Sequence, residues 1–128
     1  MKREIKFKAK RLDNGEWIDG SLTHFKDVAY IRHEERGYDD KFYLITYKVN
    51  PDTVCQFTGL KDSEGKEVWE GDILEGESKY EIVYTKGAFA TVCIGYDERV
   101  YSYPLCYYVK EDGAVEGKVI GNKFDNEK

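Results

Sequence analysis

The sequence predicts a mostly β, antiparallel protein, and three observations carry that prediction. Apolar residues recur with a period of two in one segment after another. Glycine-centred turn signals near residues 14, 64, 86 and 112 separate those segments. Aromatic residues, which suit pleated surfaces, make up 15% of the 128 residues, and no long stretch has helical periodicity.

Taken in order, residues 3–11 put Ile5, Phe7 and Ala9 on one strand face and Glu4, Lys6, Lys8 and Lys10 on the other. Asn14-Gly15 follows, before an apolar restart at Trp17-Ile18. Asn-Gly tolerates the two positive φ angles of a type I′ turn, so a β-hairpin is expected with Gly15 in that turn. In residues 21–50, Val28-Ala29-Tyr30-Ile31 and Phe42-Tyr43-Leu44-Ile45-Thr46-Tyr47 read as strands. Residues 32–41 between them are mixed in charge and lack aliphatic side chains, which predicts a solvated loop, with a mobile partner-binding loop as the lesser reading; a short helix within 23–35 stays open. Asn50-Pro51 then breaks the chain.

Residues 53–58 read as a strand, and Asp62-Ser63-Glu64-Gly65 suits a type I turn closed by a left-handed glycine. Glu70-Gly71-Asp72 makes a further turn. Segments 79–85 and 88–95, joined at Lys86-Gly87, are apolar on both faces, which predicts a central place in a closed or covered sheet. Residues 99–109 look extended with a bend at Pro104, Asp112-Gly113 forms the last turn, and 115–120 the last strand. The tail 125–128 is expected to fray.

Composition narrows the class. Twenty Lys plus Arg against 25 Asp plus Glu leave a net charge of −5. The aromatic content excludes a disordered acidic chain, and no apolar run is long enough for a membrane-spanning helix. The first residues alternate charged with apolar types and lack the apolar core of a signal peptide. Three cysteines, Cys55, Cys93 and Cys106, sit in strand-like runs, so buried free thiols in a reducing cytoplasm are expected.

Reactive constellations are sparse. His24 and His33 stand in no motif with a cysteine, and neither CxxC nor HxxxH occurs. Close carboxylates such as Glu70/Asp72 and Glu75/Glu77 are what chance provides among 25 acidic residues. The expectation is a non-enzyme without cofactor or metal. Nucleic-acid binding has one feature in its favour, a basic first strand with Lys6, Lys8 and Lys10 on one face, and the aromatics Tyr101, Tyr103, Tyr107 and Tyr108 as stacking candidates. The net charge of −5 opposes it, and lysines also serve to guard a surface or edge strand.

The run Asp52-Thr-Val-Cys-Gln-Phe-Thr-Gly-Leu-Lys-Asp-Ser-Glu-Gly-Lys-Glu-Val-Trp-Glu-Gly-Asp-Ile73 resembles the hallmark of the YopX family of phage- and prophage-encoded proteins. The opening Arg3-Glu4-Ile5-Lys6-Phe7-Lys8-Ala9 and the late Val119-Ile120-Gly121-Asn122 resemble its two ends. Cys55 departs from the glycine usual there, and 21–50 is barely constrained. The resemblance implies an SH3-like β-barrel over 51–124, preceded by a smaller β, or α+β, part over 1–50 and packed with it as one unit. It implies a phage origin and assigns no activity.

Within the hallmark, Gly59, Gly65, Gly71 and Gly121 read as turn or close-approach positions, and Asp62 and Asp72 as caps of local amides. A minority reading makes Gln56, Thr58, Lys61 and Asp72 a binding surface, with Lys6, Lys8, Lys10, Tyr101 and Tyr103 as further candidates. The expected function is contact with a host or phage protein, self-association being compatible with it; the alternative is binding of single-stranded nucleic acid. No membrane partner is expected.

Overall fold

The computed structural model describes residues 3–94 and 102–125. These form antiparallel strands and two short 3₁₀ turns, with no α-helix among the described residues. The chain divides into two compact units, Met1–Gln56 and Phe57–Glu127. The boundary lies inside a strand, a little beyond the Asn50-Pro51 break.

The first unit holds β1 (Phe7–Lys10), β2 (Trp17–Phe25), β3 (Val28–Arg36), β4 (Phe42–Val49) and the start of β5 (Cys55–Lys61), in the order β4-β3-β2-β1-β5. Strand alternation places Ala9, Ala29, Ile31 and Val49 in a fully buried core, with Phe7, Ile18, Leu22 and Val54 packed around them. The first hairpin pairs Lys10 with Trp17. Its turn is not type I′, because of its two central residues only Gly15 has positive φ, at 74°. A longer loop forms instead: the Gly15 amide donates to the Arg11 carbonyl, and the Asn14 side chain accepts from the Glu16 amide, both at 2.9 Å. The asparagine is spent on a local side-chain cap rather than on a left-handed backbone.

Strand β2 changes partner along its length. Residues 17–20 pair with β1 and residues 21–25 with β3. Gly20 is the pivot: a Cβ built there would lie 2.0 Å from the Arg32 carbonyl oxygen. Residues 32–36, expected in a loop, continue β3, and no helix forms within 23–35. They pair with β4 from Arg32↔Thr46 to Arg36↔Phe42. Among the described residues no third strand lies beside residues 33–36, and side chains on both faces of the hairpin are exposed there. Charges on a strand exposed on both faces mimic the composition of a loop, which is why the sequence misleads.

At the other end of the hairpin, the Asn50 amide donates to the Lys10 carbonyl at 2.8 Å and the Leu12 amide to the Lys48 carbonyl at 3.1 Å. The Asn50 side chain accepts from the Asp52 amide and caps the 3₁₀ turn Pro51–Thr53. The Thr53 hydroxyl in that turn accepts from the Lys10 amide at 2.9 Å.

The second unit contains the rest of β5 with β6 (Glu67–Trp69), and a sheet of β7 (Asp72–Glu75), β8 (Lys79–Thr85), β9 (Ala88–Cys93), β10 (Ser102–Pro104) and β11 (Lys118–Asn122) in the order β10-β9-β8-β7-β11. The described strands form open sheets. The turn at Asp62 to Gly65 is as expected, with the Gly65 amide donating to the Asp62 carbonyl and φ at 82°. The primed turn occurs between β8 and β9, where Lys86 and Gly87 have φ of 53° and 81°. Strand β8 is central, between β7 and β9, and its Tyr80 and Ile82 join Val68, Leu74, Leu105 and Val115 in the core. The Tyr80 ring stacks on Tyr108 at 4.7 Å, and its hydroxyl donates to the Glu116 carbonyl.

Three further expectations change. Residues 105–108 form a 3₁₀ turn rather than a strand, which rolls Leu105 into the core. The last strand starts at Lys118, since Val115 makes only isolated bridges. All three cysteines are free, but only Cys55 is buried, and Cys106 is exposed. In the tail Asp125 is held, its carboxylate accepting from the Asn122 amide at 2.8 Å; residues 126–128 lie outside the described residues.

The pivot at residue 20 has a direct test. Gly20→Ala forces a methyl group against the Arg32 carbonyl, and the expected loss is about 1–3 kcal/mol in urea-induced unfolding. An unchanged denaturation midpoint would show that β2 tolerates a side chain at its change of partner.

Candidate interaction surface

Several polar residues of the hallmark are turned inward. The Asp62 carboxylate accepts from the amides of Glu64 and Lys66 at 2.8 and 2.9 Å with one oxygen, and from Val119 at 2.8 Å with the other. Burial pushes its pKa up, and the three amides outweigh that and hold it below the ordinary carboxylate value. Asp72 caps a local amide as its main reading has it, and the minority reading of it as a surface group fails because it is buried: it accepts from the Trp69 amide at 2.8 Å and from the Asn122 side-chain amide at 2.9 Å. That amide also reaches the Glu70 carbonyl at 3.2 Å. The Thr58 hydroxyl donates to the Val68 carbonyl at 2.7 Å and accepts from the Leu60 amide.

The glycines complete this frame. Gly71 has φ of 86°, and a Cβ on it would press on Asn122 at 3.1 Å. Gly121 gives up a side chain to the Asp125 carboxylate, 3.3 Å from where a Cβ would sit, and Gly59 takes positive φ where the β5–β6 register slips. These elements of the hallmark therefore support one another and fix the backbone of the run. A family model described as YopX protein matches residues 6–128. The chain belongs to the YopX family. No curated protein matches it. Membership points to a phage-type protein and assigns no activity.

Of the remaining candidates in this YopX chain, Lys6, Lys8, Lys10 and Gln56 belong to the first unit, and Lys61 and Tyr103 to the second. Lys8 and Lys10 stand with their ammonium groups 4.6 and 5.6 Å from the Trp17 ring centre, but Lys10, expected on a binding face, is buried at 6% exposure, and Lys6 pairs with Glu4 at 3.0 Å. Trp17 shares their face because it opposes Lys10 across the hairpin. Gln56 is half-buried opposite Phe7. Lys61 is exposed, its carbonyl accepting from Val115. Tyr103 is exposed on β10, 6.4 Å from Tyr107, and lines an open groove of about 590 Å³ with Val83, Ala88, Ala90, Val92 and Pro104. Tyr101 lies outside the described residues.

Among the described residues no three His, Cys, Asp or Glu lie close enough to hold a metal ion. His33 directs Nδ1 at the Asp19 carbonyl, 2.6 Å away. No helix among the described residues is long and apolar enough to cross a membrane.

Among the described residues, a run of exposed apolar side chains lies on the arm formed by the far half of β3 and β4. Phe42 and Leu44 are 60% and 65% exposed on one face, Tyr43 and Ile45 are exposed on the other, and Tyr38 stands free at the tip. The arm is held in shape by its own polar contacts. The Tyr43 hydroxyl donates to Asp39 and the Tyr47 hydroxyl to Glu35. These bonds raise both phenol pKa values and, with the Lys41 amide, lower that of Asp39. The Arg11 guanidinium lies over the Tyr47 ring at 4.1 Å, where the arm joins the unit. Within the arm, the sequence suggests partner contact only for residues 32–41, as a loop, and not for the apolar residues of β4. The signal was there: six uncharged residues, 42–47, apolar on both faces, opposite a charged strand.

The Asp62 network sets a pH dependence. A carboxylate whose folded pKa is depressed stabilises above its unfolded pKa near ~3.9, and that contribution is lost as pH falls through the folded value. Asp62→Asn is expected to cost about 1–3 kcal/mol at pH 7, and less at pH 3. Urea unfolding of both proteins at the two pH values checks this; a pH-independent difference would exclude the carboxylate as the source.

Proposed function

We propose that this YopX-family protein is a non-enzymatic phage or prophage protein of the bacterial cytoplasm that acts by contact with another protein, through the β3–β4 arm. One observation supports this reading above the others: four large apolar side chains, Phe42, Tyr43, Leu44 and Ile45, stand in water on both faces of a two-stranded arm. Monomeric proteins seldom leave such a concentration uncovered, and aromatic and aliphatic anchors of this kind dominate protein interfaces. The mixed charges of β3 around them fit a polar rim. For residues 51–124 we keep the SH3-like barrel as the reading that the family resemblance favours, with β7, β8, β9 and β10 as its meander and β11 returning beside β7.

The arm reading is tested with a double variant, Phe42→Ser with Leu44→Ser. Affinity capture from the natural host is expected to recover a stoichiometric protein with the wild-type chain and to lose it with the variant, while circular dichroism and unfolding stay the same. Equal recovery by both proteins, or by neither, would overturn the arm as the contact surface.

A second reading, binding of single-stranded nucleic acid, draws on the Lys8–Trp17–Lys10 cluster, where Lys8 and the Trp17 ring are half-buried on one strand face and Lys10 is buried. It predicts fluorescence polarisation with labelled DNA or RNA oligomers that weakens steeply with salt. Lys8→Ala with Lys10→Ala would then lower affinity and flatten the salt slope. Absence of binding at low salt removes this reading.

A further inference from the structure

The outer edge of β4 has a direction that can be worked out. In an antiparallel strand the amide and carbonyl of one residue point to the same side, and successive residues alternate. The Lys48 carbonyl accepts from Leu12 and the Asn50 amide donates to Lys10, so the even-numbered residues of β4 face away from β3. Phe42, Leu44 and Thr46 therefore direct their backbone groups outward, and no strand pairs with them among the described residues. Past Thr46 the edge is closed, because Lys48 already has Leu12.

Such an edge is a template for another strand unless it is guarded by a charge, a proline, a bulge or a cover. Among the described residues this one has no such guard. Residues 42–47 carry no charge, proline or glycine, and no bulge interrupts their pairing with β3. We infer that the edge of β4 takes a second copy of this chain, pairing antiparallel with its own β4 about a two-fold axis at Leu44. The inference rests on the reading of the arm as a protein contact surface and names its partner.

The register follows from the three free residues. A two-fold axis at Leu44 sets Leu44 opposite Leu44 and Phe42 opposite Thr46, so that every outward residue meets another outward residue. Each such pair exchanges two hydrogen bonds, which makes six over the three pairs. An axis displaced toward Thr46 would call on the occupied Lys48, and one displaced toward Phe42 would run Thr46 into the turn at Asp40, where φ is 64°. The same register sets Tyr43 opposite Ile45 twice on one face, an aromatic against a β-branched residue, and clusters both Phe42 and both Leu44 side chains on the other. The exposed apolar residues of each arm are thereby covered by those of its twin. It also brings Asp40 of each arm to the level of Lys48 in the other copy, an opposite-charge pair at each end of the ladder.

Sedimentation equilibrium of the purified full chain over a range of concentrations tests this in the absence of any other protein. The wild type is expected to dimerise. Leu44→Lys places like charges face to face on the axis and is expected to raise the dissociation constant about tenfold or more, as is Leu44→Glu. Mixing the two variants is expected to restore a dimer holding one of each, which separates two-fold pairing at residue 44 from mere loss of an apolar side chain. A monomeric wild type, variants that still dimerise, or a mixture that fails to reassociate would each overturn the inference. Arm-dependent capture of a host protein alongside a monomeric wild type would leave the arm as a contact surface and reject the second copy as its occupant.

Discussion

The hydrogen atom that serves as a side chain at Gly20 sets the plan of the first unit. With no Cβ to hold it off, β2 comes close enough to the Arg32 carbonyl to give its first half to β1 and its second half to β3. Because β2 stops accompanying β3 there, the hairpin beyond Arg32 is left two-stranded, and its side chains face water on both sides. The small core of alanine, valine and isoleucine side chains is built on the near side of the pivot. Core, arm and exposed edge all follow from one position where the backbones approach.

The second unit relies on a different device. Two buried carboxylates, Asp62 and Asp72, replace backbone partners that a regular ladder would have supplied. Asp62 joins the turn after β5 to β11, and Asp72 with Asn122 joins β7 to the far end of β11. Each link spans some fifty residues of chain, which makes them costly to close and specific once closed. The aromatic stack of Tyr80 on Tyr108 adds apolar contact to the same unit.

Much of this fold was legible in the residues, and the failures share a cause. The Asp62 to Gly65 turn was read correctly because its conformation depends on side chains inside the tetrad. The Asn14-Gly15 turn was misread because Arg11, Asp13 and Glu16 take part in a larger loop. Residues 32–36 carry loop-like charges, yet their strand conformation is imposed by β4, a partner the local pattern does not reveal. The hallmark reads mainly as frame and only in a minority reading as surface, and Asp72 and Thr58 are spent on the frame. What distinguishes a displayed polar group from a spent one is the distant amide that claims it, such as Val119 for Asp62.

A two-stranded arm without a neighbouring strand is also free of the constraint that sets strand length elsewhere. Adding or removing residues in steps of two per strand keeps each side chain on its original face, and no core contact registers the change. The reach of the arm can thus vary while the body stays constant, so the length of 21–50 becomes a dimension along which related chains can differ without refolding.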